Sequence, residues 1–181
     1  NNNSLRISTL PHSETDKLEI RNIFTRLDQL LDVDFSEMYT NNGSEIDIYS
    51  INYSSSFNEN VVGTAIAQES QAGSWVDLLW KDLDDKPNTT KLDTHIFIHE
   101  LGHALGLSHP NDDPFNSNWT SQDTVMSYNK GPNGYDTWFS DKDIDALLSI
   151  WGRENDNGIM QFSLDSSNYS FRKTKTNKYQ I

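Results

Sequence analysis

The alternation of apolar and polar positions predicts that the chain begins with a strand and a helix. Residues 5–10 have the apolar spacing of a short strand, which Pro11 ends. The following helix has Ser13 as its N-cap and the acidic Asp16 three residues later. Its apolar positions recur at helical spacing and predict one buried face: Ile20, Ile23, Phe24, Leu27, Leu30 and Leu31. We expect this face to pack on a sheet.

Three more strands and a second helix are predicted next. The strand segments are 46–51, 61–67 and 75–80, each bounded by Gly, Ser or Asn clusters. The helix spans about 92–105, and its uncharged centre at 95–98 indicates burial. The pattern therefore predicts an α+β fold with three or four strands in one sheet.

The last third of the chain has a long loop, a helix and a different C-terminal segment. Residues 108–139 show no sustained period, and loops of this length in compact domains are usually functional. A helix then begins at Ser140, repeats its apolar residues at helical spacing and ends at Gly152. Residues 1–152 are thus predicted to form one domain. We expect residues 153–181 to form a β-rich appendage or the start of a further domain.

Candidate chemistry is concentrated in the second helix, in the run His99-Glu100-Leu101-Gly102-His103. Histidines four residues apart lie on one helix face and can share one metal ion. Glu100 then lies beside the metal, where it can take a proton from the attacking water. With Gly106 and His109 the motif has five fixed residues, and a chance match to all five is expected on the order of once in three million start positions.

A third histidine completes the predicted metal site. Gly106 can adopt the left-handed conformation that ends a helix, and His109 follows three residues later. Three neutral nitrogens and one open position are the arrangement of a catalytic zinc site. His95 is too far from His103 along the helix to share the ion, so we interpret it as a packed or hydrogen-bonded residue. His12 is interpreted as a solvated residue.

Composition and charge exclude several classes of function. The 181 residues include no Cys, so thiol catalysis, disulfides and thiolate ligands are excluded. A formal net charge of −13 makes binding to nucleic acid or to an anionic membrane unfavourable. No apolar run approaches the length of a membrane span. We therefore expect a protein without nucleic-acid or membrane partners.

The run from His99 to His109, together with Thr124-Val125-Met126-Ser127-Tyr128, resembles the metzincin metalloproteases. Pro110 directly after the third histidine and the Met-Ser-Tyr order are most similar to the serralysins. The chain contains no glycine-aspartate nonapeptide of the β-roll that serralysins carry, so no motif indicates calcium. The resemblance implies a zincin-like catalytic domain with a twisted mixed sheet, an active-site helix, a Met-turn and a C-terminal helix.

The resemblance also implies roles for residues outside the histidine motif. Met126 would form the apolar floor of the zinc site, and Tyr128 would stabilise the oxyanion. An edge strand would bind peptide substrates by antiparallel addition through Val62, Gly63, Thr64, Ala65, Ile66 and Ala67. The protein would be a secreted, monomeric enzyme.

These observations predict a secreted zinc-dependent endopeptidase with one catalytic Zn²⁺ and Glu100 as general base. Its partners would be polypeptide substrates. One alternative is a matrixin-like metalloprotease, which would bring a thiol-switch pro-segment. The other is a non-catalytic zinc-binding interaction module on the same fold, against which the presence of all three histidines and the glutamate argues.

Overall fold

The computed structural model describes residues 7–54, 57, 61–71, 73–81, 90–155 and 158–165. Six strands occur in these ranges: β1 Ile7–Leu10, β2 Asp34–Met38, β3 Ile46–Ser54, β4 Gly63–Ser70, β5 Gly73–Lys81 and β6 Ile159–Ser163. The α-helices are α1 Glu14–Asp28, α2 Lys91–Ala104 and α3 Asp141–Trp151, and a short 3-10 turn spans Pro110–Asp112.

Each of the three helices begins with a capping box, in which the N-cap hydroxyl and the N3 carboxylate satisfy each other's backbone N–H groups. The pairs are Ser13 with Asp16, Thr90 with Asp93, and Ser140 with Asp143. The first and third confirm the predicted helix starts. No helix among the described residues combines the length and apolar character that a membrane span requires.

The strands form one mixed sheet in the order β2-β6-β3-β5-β4, and β1 pairs with the second half of β3. The pairs β2/β6, β6/β3 and β3/β5 are parallel, whereas β4/β5 and β1/β3 are antiparallel. β4 is therefore the terminal strand on its side of the described sheet. The predicted α+β architecture, with a mixed sheet and three helices, is confirmed.

The main core lies between one face of the sheet and the helices. Phe24 of α1 stacks on Phe162 of β6 with ring centroids 3.9 Å apart. α2 packs across β4 and β5, with Ile98 and Leu101 fully buried in the same cluster. The opposite face carries a smaller cluster of buried residues: Tyr49, Ile51 and Leu79. α2 is thus buried along most of its length, as its uncharged centre predicts.

The segment after residue 152 differs from the expected appendage. Residues 159–163 do form a strand, but it lies inside the sheet between β2 and β3, and Phe162 and Leu164 belong to the main core. Burial of these apolar side chains by α1 explains the integration. We propose that the folded unit extends at least to Leu164; residues 166–181 lie outside the described residues.

Two local features also differ from the sequence analysis. β2 was not predicted, because the run from Asp34 to Met38 is too polar to stand out as a strand. The interpretation of His12 as solvated is wrong: the residue is buried, hydrogen-bonds the carbonyl of Ile48 at 3.0 Å and packs beside Trp80.

Candidate metal centre and active site

His99 and His103 lie one turn apart on the same face of α2, in its C-terminal half. Their ring centroids lie 4.9 Å apart in an edge-on arrangement. His99 is almost fully buried, and His103 is half-buried. The four-residue spacing that the sequence displays therefore gives two imidazoles directed to one point above the helix.

The chain reverses immediately after α2 and brings back the third imidazole. Gly106 has φ 101°, the left-handed conformation predicted for it, and the Leu107 N–H returns to the carbonyl of Gly102 at 2.8 Å. The Nε2 atom of His109 then lies 3.2 Å from Nε2 of His103 and 3.3 Å from Nε2 of His99.

This cluster fits a zinc ion. A tetrahedral zinc with bonds of about 2.0–2.1 Å to nitrogen requires ligand nitrogens about 3.3–3.4 Å apart. Both Nε2–Nε2 distances match this spacing of ligand nitrogens. The candidate ligand atoms of all three histidines lie within 4.8 Å of one another. Among the described residues, it is the one group of three or more His, Cys, Asp or Glu that meets this distance criterion.

Backbone carbonyls fix which ring nitrogen faces the cluster. The Nδ1–H group of His99 donates to the carbonyl of Val125 at 2.8 Å, and that of His103 donates to the carbonyl of Leu107 at 2.9 Å. A proton held on Nδ1 leaves the lone pair on Nε2, where a metal needs it. The two carbonyls thus orient the rings as well as choosing the tautomer.

Burial keeps the three imidazoles neutral. Desolvation, reinforced by the neighbouring His103, lowers the pKa of His99 from 6.5 to about 3. The same two causes lower the pKa of His109 to about 4, and desolvation lowers the pKa of His103. Metal ligands must be deprotonated, so at neutral pH all three side chains are ready to bind a cation.

Glu100, the residue after His99, directs its carboxylate towards the edge strand β4. Its carboxylate accepts a hydrogen bond from the backbone N–H of Ala65 and is almost fully buried. Gly63 lies so close that an added Cβ would stand 2.6 Å from Glu100 Oε1. Desolvation raises the pKa of Glu100 to about 8, while the Ala65 N–H acts in the opposite direction. This carboxylate has a high affinity for a proton.

A buried carboxylate of α3 supports the turn beneath His99. Asp143 accepts hydrogen bonds from the Thr124 hydroxyl at 2.5 Å and from the Val125 N–H at 2.9 Å, in addition to capping α3. Both backbone groups of Val125 are therefore hydrogen-bonded, the N–H to Asp143 and the carbonyl to His99. The sequence analysis recognised Asp143 only as a cap; no local pattern signals its second role.

Met126 and Gly102 meet under the histidine cluster. Met126 is buried, and its Sδ would stand 2.7 Å from a Cβ added at Gly102. Its N–H donates to the Thr124 hydroxyl at 3.1 Å, within the turn that Asp143 holds. Gly102 therefore allows the Met126 sulfur to approach the helix closely.

Tyr128 borders the histidine cluster on its open side. Its ring centroid is 5.1 Å from that of His99 and 5.2 Å from that of His109, and the side chain is 43% exposed. Phe115, which the sequence analysis did not single out, is 69% exposed and meets Tyr128 edge-on at 5.1 Å. The cluster thus opens to solvent beside two aromatic rings.

The remaining predicted positions lie around this opening. Residues 63–67 belong to the terminal strand β4, whose neighbour in the described sheet is β5 alone, and Val62 directly precedes that strand.

His95 lies one turn before His99, donates to the carbonyl of Asp136 at 2.9 Å and stacks on Tyr135. The interpretation of His95 as a packed, hydrogen-bonded residue is confirmed.

Comparison with known proteins gives one family. The family model described as Matrixin matches residues 3–117, which is more than half of the chain and includes α2 and all three histidines. The match ends before the turn that contains Met126. No curated protein matches the chain.

Proposed function

Because the chain belongs to the matrixin family of zinc metallopeptidases, we propose that it is a secreted endopeptidase that uses Glu100 as general base. The observation that carries the proposal is the convergence of three Nε2 atoms next to a buried carboxylate. A purely structural zinc site would be closed by a fourth protein ligand, and among the described residues the group contains no fourth His, Cys, Asp or Glu.

His99, His103 and His109 would hold the ion through their Nε2 atoms. Zinc in such a site supplies Lewis-acid polarisation of the scissile carbonyl and lowers the pKa of water. The neutral state of the three imidazoles and the carbonyl acceptors at Nδ1 support this assignment. These three residues would therefore bind the ion and hold it in position.

Glu100 would move the proton. It takes one proton from the attacking water and passes it to the leaving amine as the peptide bond breaks. Burial supports this role, because a carboxylate in a low-dielectric site has a raised proton affinity. A zinc ion nearby would have the opposite effect and would keep Glu100 ionised before the reaction. The N–H of Ala65 orients the carboxylate.

Tyr128 would donate its phenolic hydrogen to the developing oxyanion. Its half-exposed ring beside His99 and His109 supports this role. Together with Pro110 and the Met-Ser-Tyr order, it favours a serralysin-like variety of the matrixin site, with Met126 as the Met-turn residue. Conversion of Tyr128 to Phe should then lower kcat by at least about tenfold with little change in zinc content.

Polypeptides are the proposed substrates. β4 ends the described sheet on its side, and an extended peptide can add to such a strand through backbone hydrogen bonds. Residues 62–67 run past Glu100, so a peptide paired there would have its backbone next to the proposed base. Secretion is part of the proposal because matrixins generally act outside the cell.

The test combines metal analysis with hydrolysis. The purified chain should contain one zinc per molecule and cleave an unfolded protein such as casein, and a zinc chelator should abolish cleavage. Replacement of Glu100 by Gln should keep the zinc and reduce turnover by at least about 10²-fold, because general-base catalysis typically contributes that much.

Two results would contradict the proposal. Full turnover by the Glu100→Gln variant would remove Glu100 from the role of base. Stoichiometric zinc without hydrolysis of any polypeptide would favour the non-catalytic binding module instead. A matrixin with a thiol switch would be distinguished by expression of the full precursor, which should be latent until an inhibitory cysteine is displaced.

A further inference from the structure

A second concave site lies at the far end of β4, away from Glu100. It is a cavity of about 430 Å³ where β4 meets the starts of β3 and β5 and the last turns of α2 and α3. Its apolar walls come from Ile46, Val76, Ala104, Trp151 and Met160. A volume of this size falls within the range of ordinary ligand pockets.

The edge strand connects this cavity to Glu100. Ala65 contacts Glu100, and Ala67 and Glu69 line the cavity. Gln68 points to the other face of the sheet, where it donates to Asp77 at 2.7 Å, so Ala67 and Glu69 share the face of Ala65. The distance along the strand from Ala65 to Glu69 is about 13 Å at a rise of about 3.3 Å per residue.

The direction of β4 decides which part of a substrate would reach the cavity. A peptide added antiparallel to β4 runs from its Ser70 end towards its Gly63 end. The scissile bond lies next to Glu100, near the Gly63 end. Residues N-terminal to that bond would therefore pass over the cavity.

Charge at the rim further restricts the ligand. Glu45 and Glu69 both line the cavity and are exposed, and one Glu45 carboxylate oxygen already accepts from the Gln161 N–H at 2.7 Å. Exposed carboxylates at a rim favour Lys or Arg on a partner and disfavour acidic residues. Trp151 and Met160 offer an aromatic face and an adaptable thioether to an apolar side chain.

We propose that this cavity is an upstream substrate subsite for a large apolar side chain, about three to five residues N-terminal to the scissile bond. A basic residue two positions N-terminal to that side chain lies on the same face of the added strand and pairs with Glu69. The inference rests on the proposed endopeptidase activity and names the sequence class that the enzyme selects.

The experiment uses the zinc-loaded full chain and peptides built around one cleavable core. One peptide ends two residues before the scissile bond. The others extend upstream with a Lys-Ala-Phe triplet, placed so that Phe occupies each position from the second to the seventh. We expect kcat/KM to rise by about tenfold or more when Phe stands at the favoured position. The gain should appear in KM, because the contact is made before and during the reaction alike.

A charge reversal separates the subsite from general electrostatics. Glu69→Lys should remove the preference for Lys-Ala-Phe over Glu-Ala-Phe, measured as the ratio of the two kcat/KM values in the same variant. Asp145→Lys is the matched control, since Asp145 is exposed on α3 and outside the cavity lining; it should keep the preference.

The outcomes distinguish the two proposals. Cleavage of the short peptide with no gain from any upstream extension would overturn the subsite and leave the peptidase intact. No cleavage of any peptide would instead overturn the peptidase itself, and the subsite with it.

Discussion

At the scale of single residues, the space around Glu100 is set by a missing side chain. A Cβ at Gly63 would stand 2.6 Å from Oε1 and 2.7 Å from Cγ of Glu100, so only hydrogen fits between the edge strand and the carboxylate. Gly63 does not have a positive φ. The glycine is therefore required for close approach, not for backbone conformation.

Gly63→Ala should displace Glu100 without disturbing the histidines. We expect kcat/KM to fall by at least about tenfold, because a shift of about 1 Å at a catalytic group can cost 10²-fold. Zinc content should stay at one per chain. Ser70→Ala, at the other end of the same strand, is the control. Equal loss of activity in both variants would mean that the edge strand, and not the position of Glu100, had been damaged.

Asp143 gives a second prediction at this scale, since it links α3 to the turn that orients His99. Asn at this position would direct its NH2 group, which can only donate, towards the Val125 N–H or the Thr124 hydroxyl. Both of those groups donate to Asp143 in the unmodified chain, so one hydrogen bond would be lost. We expect Asp143→Asn to lower zinc affinity by about 10–100-fold, the typical cost of losing a group that orients a ligand. Competition with a chelator measures it.

Asp141→Asn is the matched control for that measurement. Asp141 lies in the first turn of the same helix but is exposed. The control should bind zinc as the unmodified chain does. Unchanged affinity in Asp143→Asn would remove this carboxylate from the metal site and leave it as a helix cap alone.

Local spacing explains which parts of the site could be predicted. His99 and His103 are four residues apart on one helix, and Gly106 reverses the chain before His109, so the sequence itself determines their meeting. The contacts of Gly63 with Glu100 and of Asp143 with Val125 join distant segments. Such contacts depend on how the elements pack, and a single sequence carries no local signal for them.

At the scale of elements, β6 decides how far the folded unit extends. It is the strand through which β2 joins the sheet, and Phe162 is 3% exposed against Phe24. Ile159 in the same strand is 70% exposed. One strand therefore offers both a core position and a surface position for comparison.

Phe162→Ala should lower the free energy of unfolding by about 3–5 kcal/mol, as expected for a large-to-small change at a buried aromatic. Ile159→Ala should change it by no more than about 0.5 kcal/mol. Urea denaturation followed by fluorescence measures both. Similar small effects in the two variants would mean that residues 159–163 are an appendage and do not contribute to the core.

The helices were easier to predict than the strands for a physical reason. A capping box and a 3.6-residue period are complete within one segment, and the boxes at Ser13 and Ser140 fixed the starts of α1 and α3. A strand is stabilised by its neighbours. The polar β2 and the placement of β6 beside it depend on pairing between segments far apart in sequence, so periodicity alone could not give them.

At the scale of the whole molecule, the pH dependence of stability reflects histidines that fold in the neutral form. His12 is an example outside the metal centre: burial lowers its pKa from the usual 6.5, and its ring hydrogen-bonds the Ile48 carbonyl. In the unfolded chain the same residue takes up a proton below pH of about 6.5. Its contribution to stability is therefore complete above that pH and is lost as the pH falls towards the lower folded pKa.

His12→Gln should flatten this part of the profile. With chelator present, we expect the unfolding free energy of the unmodified chain to fall more steeply between pH 7 and pH 5 than that of the variant. The difference in slope cannot exceed about 1.4 kcal/mol per pH unit for one proton. Denaturant midpoints at several pH values measure it. Parallel profiles would mean that His12 takes up a proton in the folded chain as easily as in the unfolded one.

The position of β6 also has a consequence for the order of assembly during synthesis. Glu45 at the start of β3 and Gln161 of β6 hydrogen-bond each other across 116 residues of sequence. In the growing chain the histidine-bearing helix is made before the strand that joins β2 to the sheet. Pairings of such long range slow folding. A ribosome-bound chain that stops short of residue 159 therefore exposes one side of β3 and the apolar face of α1, a surface suited to chaperones until the last strand emerges.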